Sequence, residues 1–208
     1  MVKKTGFVGY ESEDIVLYLA RILTALDRKV AIVDRTEQEM LLELLGICQG
    51  KKNGAGEREG EFAGIWITDQ GSNLEEFDHI FFLFGYRLLH PKLYECECLV
   101  MVTDGVPAHA SLLRRLGKWE RKQFLILRNL IPMKHTEQYL TLLAEEENNY
   151  YRLSYNEKDI RRRCSLGSAA GCGIRLLSAE MKQLLLLLLE FLEEECHGIR
   201  IQQMLKKL

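Results

Sequence analysis

The stretch that decides the fold is "GFVGYESEDIVLYLARIL", residues Gly6 to Leu23. A short apolar strand runs into a tight loop and then a helix. Ile15, Leu19, Ile22, Leu23 and Leu26 fall on one stripe at helical spacing, and Ser12 stands where an N-cap is expected. Many phosphate-binding loops are built in this order, because the helix N-terminus offers unpaired N–H groups to an anion. Here, however, the loop carries Glu11, Glu13 and Asp14, where a phosphate site would want glycines and a lysine.

Working outward from this stretch, strand and helix patterns alternate, which predicts an α/β domain with a mostly parallel sheet. Apolar strands are expected at "KVAIVD" (Lys29–Asp34), "GIWITD" (Gly64–Asp69), "HIFFLFG" (His79–Gly85), "CLVMVTD" (Cys98–Asp104) and "QFLILRN" (Gln123–Asn129), with a short last one at "YYRLSY" (Tyr150–Tyr155). Continuous apolar runs such as "HIFFLF" suit a sheet covered by helices on both faces, a three-layer arrangement. Helices are expected at Glu37–Ile47, from Ala108 to about Lys118, at Thr136–Glu147, and from Ser178 onward. "CQGKKNGAGEREGE" (Cys48–Glu61) is glycine-rich and charged and is expected to be a loop.

The chain has 208 residues, nearly half of them hydrophobic, and a net charge of −2. This fits a single domain, 1–208, with 178–208 as its C-terminal helical segment. The charge provides no global field toward nucleic acid. Six scattered cysteines read as reduced thiols of a cytoplasmic protein. The densest apolar run, "LLLLLLEFL", is too short to span a bilayer, and the N-terminus has no long apolar signal region.

Four segments give the chain a resemblance to the MinD/ParA family of deviant-Walker P-loop ATPases. "LARILTALDRKVAIVDRT" is similar to the family's first helix and the strand ending in aspartate. "EEFDHIFFLFGY" is similar to the Walker B strand, and "CLVMVTDGVPAHASLLRRL" to a strand, proline-containing loop and helix. "QFLILRNLI" with "RLSYNEKDIRRRCSLG" is similar to the closing strands and the loop beside the adenine. The resemblance implies a P-loop NTPase fold of the MinD/ParA type.

It also implies a place for each part of the nucleotide site. The family loop reads K-G-G-x-G-K-[ST]. Phe7 then stands at the first lysine, which reaches across a dimer, and Val8 and Gly9 stand at the glycine pair. Glu11 stands at the third glycine, Ser12 at the phosphate lysine and Glu13 at the magnesium-binding Ser/Thr. Leu83 replaces the Walker B aspartate. Asp34 matches the first aspartate after the second strand, while Thr36 replaces the second. Phosphoryl transfer rests on positioning and charge neutralisation, so the expectation is a pseudo-ATPase with no catalytic residues, bound metal or cofactor. Asn129, with Ser154 nearby, is an adenine-side remnant on this reading. Alternatively, Asn129 serves only the strand end, as asparagines often do.

The remaining motifs are weaker. Cys96 and Cys98 form a C-x-C at a strand start, where residues two apart share a face. A second pair for a zinc site is absent from the sequence, and buried thiols are the simpler reading. Arg114, Arg115, Lys118, Arg121 and Lys122, with Arg161, Arg162 and Arg163, make basic clusters. The acidic total favours a solvated face or an acidic partner over DNA. In the last long helix, Leu186 and Leu187 fall outside the stripe of Leu184, Leu185, Leu188 and Leu192. Either the helix is buried on two sides or the second face meets another chain. In the tail, Ile201, Met204, Leu205 and Leu208 form an apolar stripe flanked by Arg200, Lys206 and Lys207. MinD-like proteins end in a membrane-targeting amphipathic helix of similar character. This tail is expected either to touch the inner face of a membrane peripherally or to fold back on the body.

The function expected is a non-catalytic MinD/ParA-like scaffold or localisation protein. It would work through protein contacts, as a homodimer or beside a true ATPase, in a positioning, pilus or secretion system. The TadZ/CpaE branch is one such setting. The alternatives are a nucleotide-binding protein with a non-standard site, or an enzyme on the same fold. An enzyme would draw on Tyr10, Glu11, Asp34, Asp69, Tyr86 and Asp104 at the carboxyl ends of the strands.

Overall fold

The computed structural model describes residues 2–47, 58–71, 74–116, 121–131, 149–167 and 173–193. Eight strands form one sheet: β1 (Lys3–Gly9), β2 (Val30–Asp34), β3 (Glu59–Phe62), β4 (Ile65–Thr68), β5 (His79–Gly85), β6 (Cys98–Thr103), β7 (Lys122–Leu130) and β8 (Tyr150–Ser154). Their spatial order is β3-β4-β2-β5-β1-β6-β7-β8. Every pairing is parallel except β3 with β4. The described helices are α1 (Glu13–Ala25), α2 (Met40–Leu44), α3 (Pro107–Arg114), α4 (Glu157–Arg163) and α5 (Ala179–Leu192).

Alternation along the strands divides the core between the two faces of the sheet. Phe7, Ile32, Phe81, Val100 and Ile126 point toward α1 and α5. Their neighbours Val8, Val33, Phe82, Met101 and Leu127 point to the other face, where Ala110 and Leu113 of α3 pack. The result is three layers, as the apolar runs predict. The strands β2 and β5 are buried on both sides, which is why they read as nearly unbroken apolar runs rather than alternating ones.

Several expectations need correction. Glu59–Glu61, read as the end of a loop, belong with Phe62 to the antiparallel edge strand β3. It is only half buried and carries two glutamates and a glycine, so its composition hides it. The second helix is one short piece, begun after Glu39 in a left-handed conformation and closed at Leu45. The α3 helix stops at Arg114, and Arg121 and Lys122 lie at the start of β7, so the two sets of cations do not share one helix face. Ser12 occupies the N-cap position of α1 but its side chain makes no capping bond. Ser178, by contrast, caps α5, its hydroxyl accepting from Met181 N–H at 3.0 Å. Leu186 and Leu187 are half-buried and pack against the same core as the α5 stripe. The expected helix at Thr136–Glu147 and the tail stripe lie outside the described residues.

Candidate functional site

Parallel strands bring their carboxyl ends to one rim, and there β1 hands the chain to α1. Gly9 has φ +103, and a Cβ on it would fall 2.0 Å from the Val102 carbonyl oxygen, so only glycine fits. This close approach lets Tyr10 N–H donate to that carbonyl at 2.8 Å. Glu11 then takes φ +47, in the left-handed region that side chains avoid. The turn at the family's third glycine therefore keeps a glycine-like conformation while carrying a carboxylate.

Arg128, from β7, fills the space beneath this turn. It is 1% exposed and is the largest fully buried side chain among the described residues. Its guanidinium donates to both carboxylate oxygens of Asp14, at 2.9 and 3.0 Å, and to the Glu11 carbonyl. Arg163 of α4 closes the cluster from outside. It donates to the Glu11 carboxylate and stands 4.0 Å from that of Glu13. Three carboxylates at a helix N-terminus favour the helix dipole, and two guanidinium groups offset two of them directly, Arg128 that of Asp14 and Arg163 that of Glu11. Burial would raise the Asp14 carboxyl, but the charge and hydrogen bonds of Arg128 hold it below its usual range. Glu13 lacks so close a partner, and burial pushes its carboxyl up. Burial would lower Arg128, but Asp14 keeps it firmly protonated.

The other expected site residues are likewise engaged or buried. Asp34 accepts from Thr36 N–H (3.0 Å) and hydroxyl (2.6 Å) with one oxygen, and from Leu41 N–H (2.7 Å) and Leu42 N–H (3.3 Å) with the other. It organises the turn into α2, each of its two oxygens accepting two bonds from within the chain. Leu83 is fully buried in β5, directly beside Asp34 in register. Phe7 is also fully buried, edge-on to Phe81 at 5.5 Å, so it forms no interface. Asn129 takes φ +54 at the bulge where β7 shifts register against β8. Asparagine tolerates that conformation better than most residues. Ser154 is bound through its N–H (2.9 Å) and hydroxyl (3.4 Å) to Glu180. Cys96 packs in the cluster on one face of the sheet and Cys98 against the other, so the C-x-C does not converge. Among the described residues no group of three or more His, Cys, Asp or Glu could hold a metal ion. No described helix is long and apolar enough to cross a membrane.

Two features escape a reading of the sequence. Arg128 is one; its signal is a charge within the apolar run "FLILRNL". The other is His109, which looks isolated in sequence. Its Nδ1 lies 2.8 Å from the Asp104 carboxylate, and its ring stacks on Tyr10 at 4.9 Å and tilts against Tyr86 at 5.7 Å. Burial, with the Glu11 carboxylate, pushes the Tyr10 hydroxyl up to about 12. The Tyr86 hydroxyl is buried without a hydrogen-bond partner among the described residues. Of the expected enzyme residues, Tyr10, Glu11, Tyr86 and Asp104 therefore come together around His109 or the loop. Asp69 instead binds Arg58 near the sheet edge.

No protein-family model matches the sequence, and no curated protein matches it. Solved structures do. A plasmid partition protein of Borrelia burgdorferi B31, bound to AMPPNP, aligns over the whole of both chains at 12% identity with a TM-score of 0.60. The apo McdA of Cyanothece aligns over 99% of this chain and 100% of its own, at 12% identity and a TM-score of 0.57. The MinC:MinD complex of Aquifex aeolicus aligns over 77% of this chain and 84% of that one, at 10% identity and 0.54. The chain has the ParA/MinD-type P-loop ATPase fold. At these identities the likeness extends to the fold alone, and the site must be argued from its own residues.

Proposed function

We propose that this chain is a non-catalytic ParA/MinD-type scaffold that acts through protein contacts and has given up the nucleotide switch. The observation that carries this reading is the Arg128–Asp14 pair beneath the Gly9–Ser12 turn. A phosphate-binding loop neutralises the anion of its ligand with a lysine and a metal. Here the anions are the chain's own carboxylates, and the cations that balance them come from β7 and α4. A triphosphate would meet Glu11 and Glu13 and find no lysine in the loop.

The carboxyl rim supports a contact role. Leu89, Val106, Ile131 and Tyr155, which follow β5, β6, β7 and β8, are all well exposed, Leu89 at 85%. Apolar side chains on successive loops of one rim form a surface suited to a protein partner. That partner is a second copy or an active ATPase of the same fold, in a positioning or secretion assembly at the inner face of the membrane.

Isothermal calorimetry with ATP and Mg²⁺ tests the loss of the switch. The expected result is no heat of binding. A dissociation constant near 1 μM, about −8 kcal/mol, overturns it. Sedimentation with and without ATP tests the contact role, and a dimer formed only with ATP contradicts it.

A further inference from the structure

The sheet face opposite α1 and α5 carries a groove of about 850 Å³. Its floor is Val2, Leu74, Ile80 and Phe82. Its walls carry the exposed carboxylates of Glu75, Glu76, Glu95 and Glu97. Lys4 and Lys92 are spent on Glu95, at 3.2 and 2.9 Å, and Glu76 reaches Lys29 at 3.5 Å. Glu75 and Glu97 form no ion pair among the described residues. The groove thus has an apolar floor between walls with unspent negative charge, and it asks for an amphipathic cationic occupant.

The chain supplies one. Beyond α5, Glu193 is buried and held by Lys3 at 2.9 Å and His79 at 2.7 Å. Those contacts fix its position at the amino ends of β1 and β5. A cavity there shares Lys4 and Glu97 with the groove, so the two openings adjoin. The residues that follow, Glu194–Leu208, end in "IRIQQMLKKL", with Ile201, Met204, Leu205 and Leu208 on one stripe and Arg200, Lys206 and Lys207 beside it. At about 3.3 Å per residue, the stretch from Glu193 to Ile201 reaches roughly 25 Å. That covers the way around the end of two adjacent strands about 5 Å apart. We infer that Glu194–Leu208 docks in cis along this groove, its stripe on the apolar floor and its cations against Glu75 and Glu97. This inference is independent of the loss of nucleotide binding.

Trypsin reads the docking directly, because the tail presents cleavable bonds after Arg200, Lys206 and Lys207. The rate of cleavage after Arg200 in the full chain is followed by mass spectrometry and compared with a free peptide of sequence 194–208. Docking is expected to slow it tenfold or more. The double variant Glu75→Lys with Glu97→Lys, both exposed and structurally undemanding, restores most of the peptide rate without changing the melting temperature. So does Met204→Asp with Leu205→Asp in the tail. The inference is overturned if the wild-type tail is cut as fast as the peptide, or if both variants remain protected. It is equally overturned if protection rises with protein concentration, which assigns the groove or the tail to a second copy. Protection that appears only with vesicles of phosphatidylglycerol assigns the tail to a membrane and also overturns it.

Discussion

Replacing Arg128 tests whether an internal ion pair has taken over the nucleotide site. Both side chains of the Arg128–Asp14 pair are almost completely buried, and the pair is joined by two hydrogen bonds of 2.9 and 3.0 Å. Arg128→Met keeps the volume of the stem but leaves Asp14 as an unpaired buried carboxylate. Breaking a buried pair from one side costs about 3–5 kcal/mol. For a chain of this size each kcal/mol moves the melting temperature by about 2–4 °C, so a drop of roughly 10 °C is expected. Adding Asp14→Leu removes the stranded charge and recovers most of that loss. A residual cost of about 1 kcal/mol remains, because the half-buried Glu11 carbonyl loses its donor. Arg128→Lys falls between, since an ammonium cannot form the two-pronged contact. Denaturant melts of the wild type, Arg128→Met, Asp14→Leu alone and the double variant complete a double-mutant cycle. A cost below about 1 kcal/mol for Arg128→Met, or strictly additive changes, refutes the reasoning. In that case the guanidinium is a passenger in the loop rather than its support.

The acid limb of stability follows the same cluster. The Asp14 carboxyl is held below its unfolded value, so its contribution is complete above about pH 4 and is lost as the pH falls through the lower folded value. Glu13 is shifted upward and acts in the opposite sense, so Glu13→Gln should raise the melting temperature at pH 7 and leave it unchanged at pH 4. Gly9→Ala should unfold the turn or fail to fold, because the added methyl meets the Val102 carbonyl; soluble yield and circular dichroism read the outcome. Burial pushes the Cys96 thiol up to about 12, whereas Cys164 is exposed, so iodoacetamide at pH 8 should label Cys164 and spare Cys96 until the chain unfolds.

The fold is legible in the sequence because its strands are buried on both sides. "HIFFLFG" and "KVAIVD" admit no other placement than a covered parallel sheet, and the Gly6–Leu23 stretch sets the first turn. The edge strand β3 is not legible, because Glu59, Gly60 and Glu61 read as solvent-facing punctuation. The losses in the nucleotide loop are visible residue by residue; what replaced them is not. Arg128 lies 114 residues from Asp14 in sequence, and neither periodicity nor spacing links them. Only the demand that a charge inside an apolar strand find a partner hints at the pair. The Asp104–His109 contact is hidden for a similar reason, since it joins the end of a strand to the first turn of the next helix.

Glu193 has a geometric consequence for how the molecule presents itself. Lys3 and His79 anchor it at the amino ends of the strands, while Leu89, Val106, Ile131 and Tyr155 stand at their carboxyl ends. The seven residues of β5 span this distance, about 23 Å at 3.3 Å per residue. Anything recruited by the rim and anything that engages the surface around Glu193 itself therefore sit at opposite poles of a stiff strut. Neither blocks the other, so the two engagements are compatible at the same moment. The body between them works as a spacer of fixed length, one whose length no ligand is needed to set.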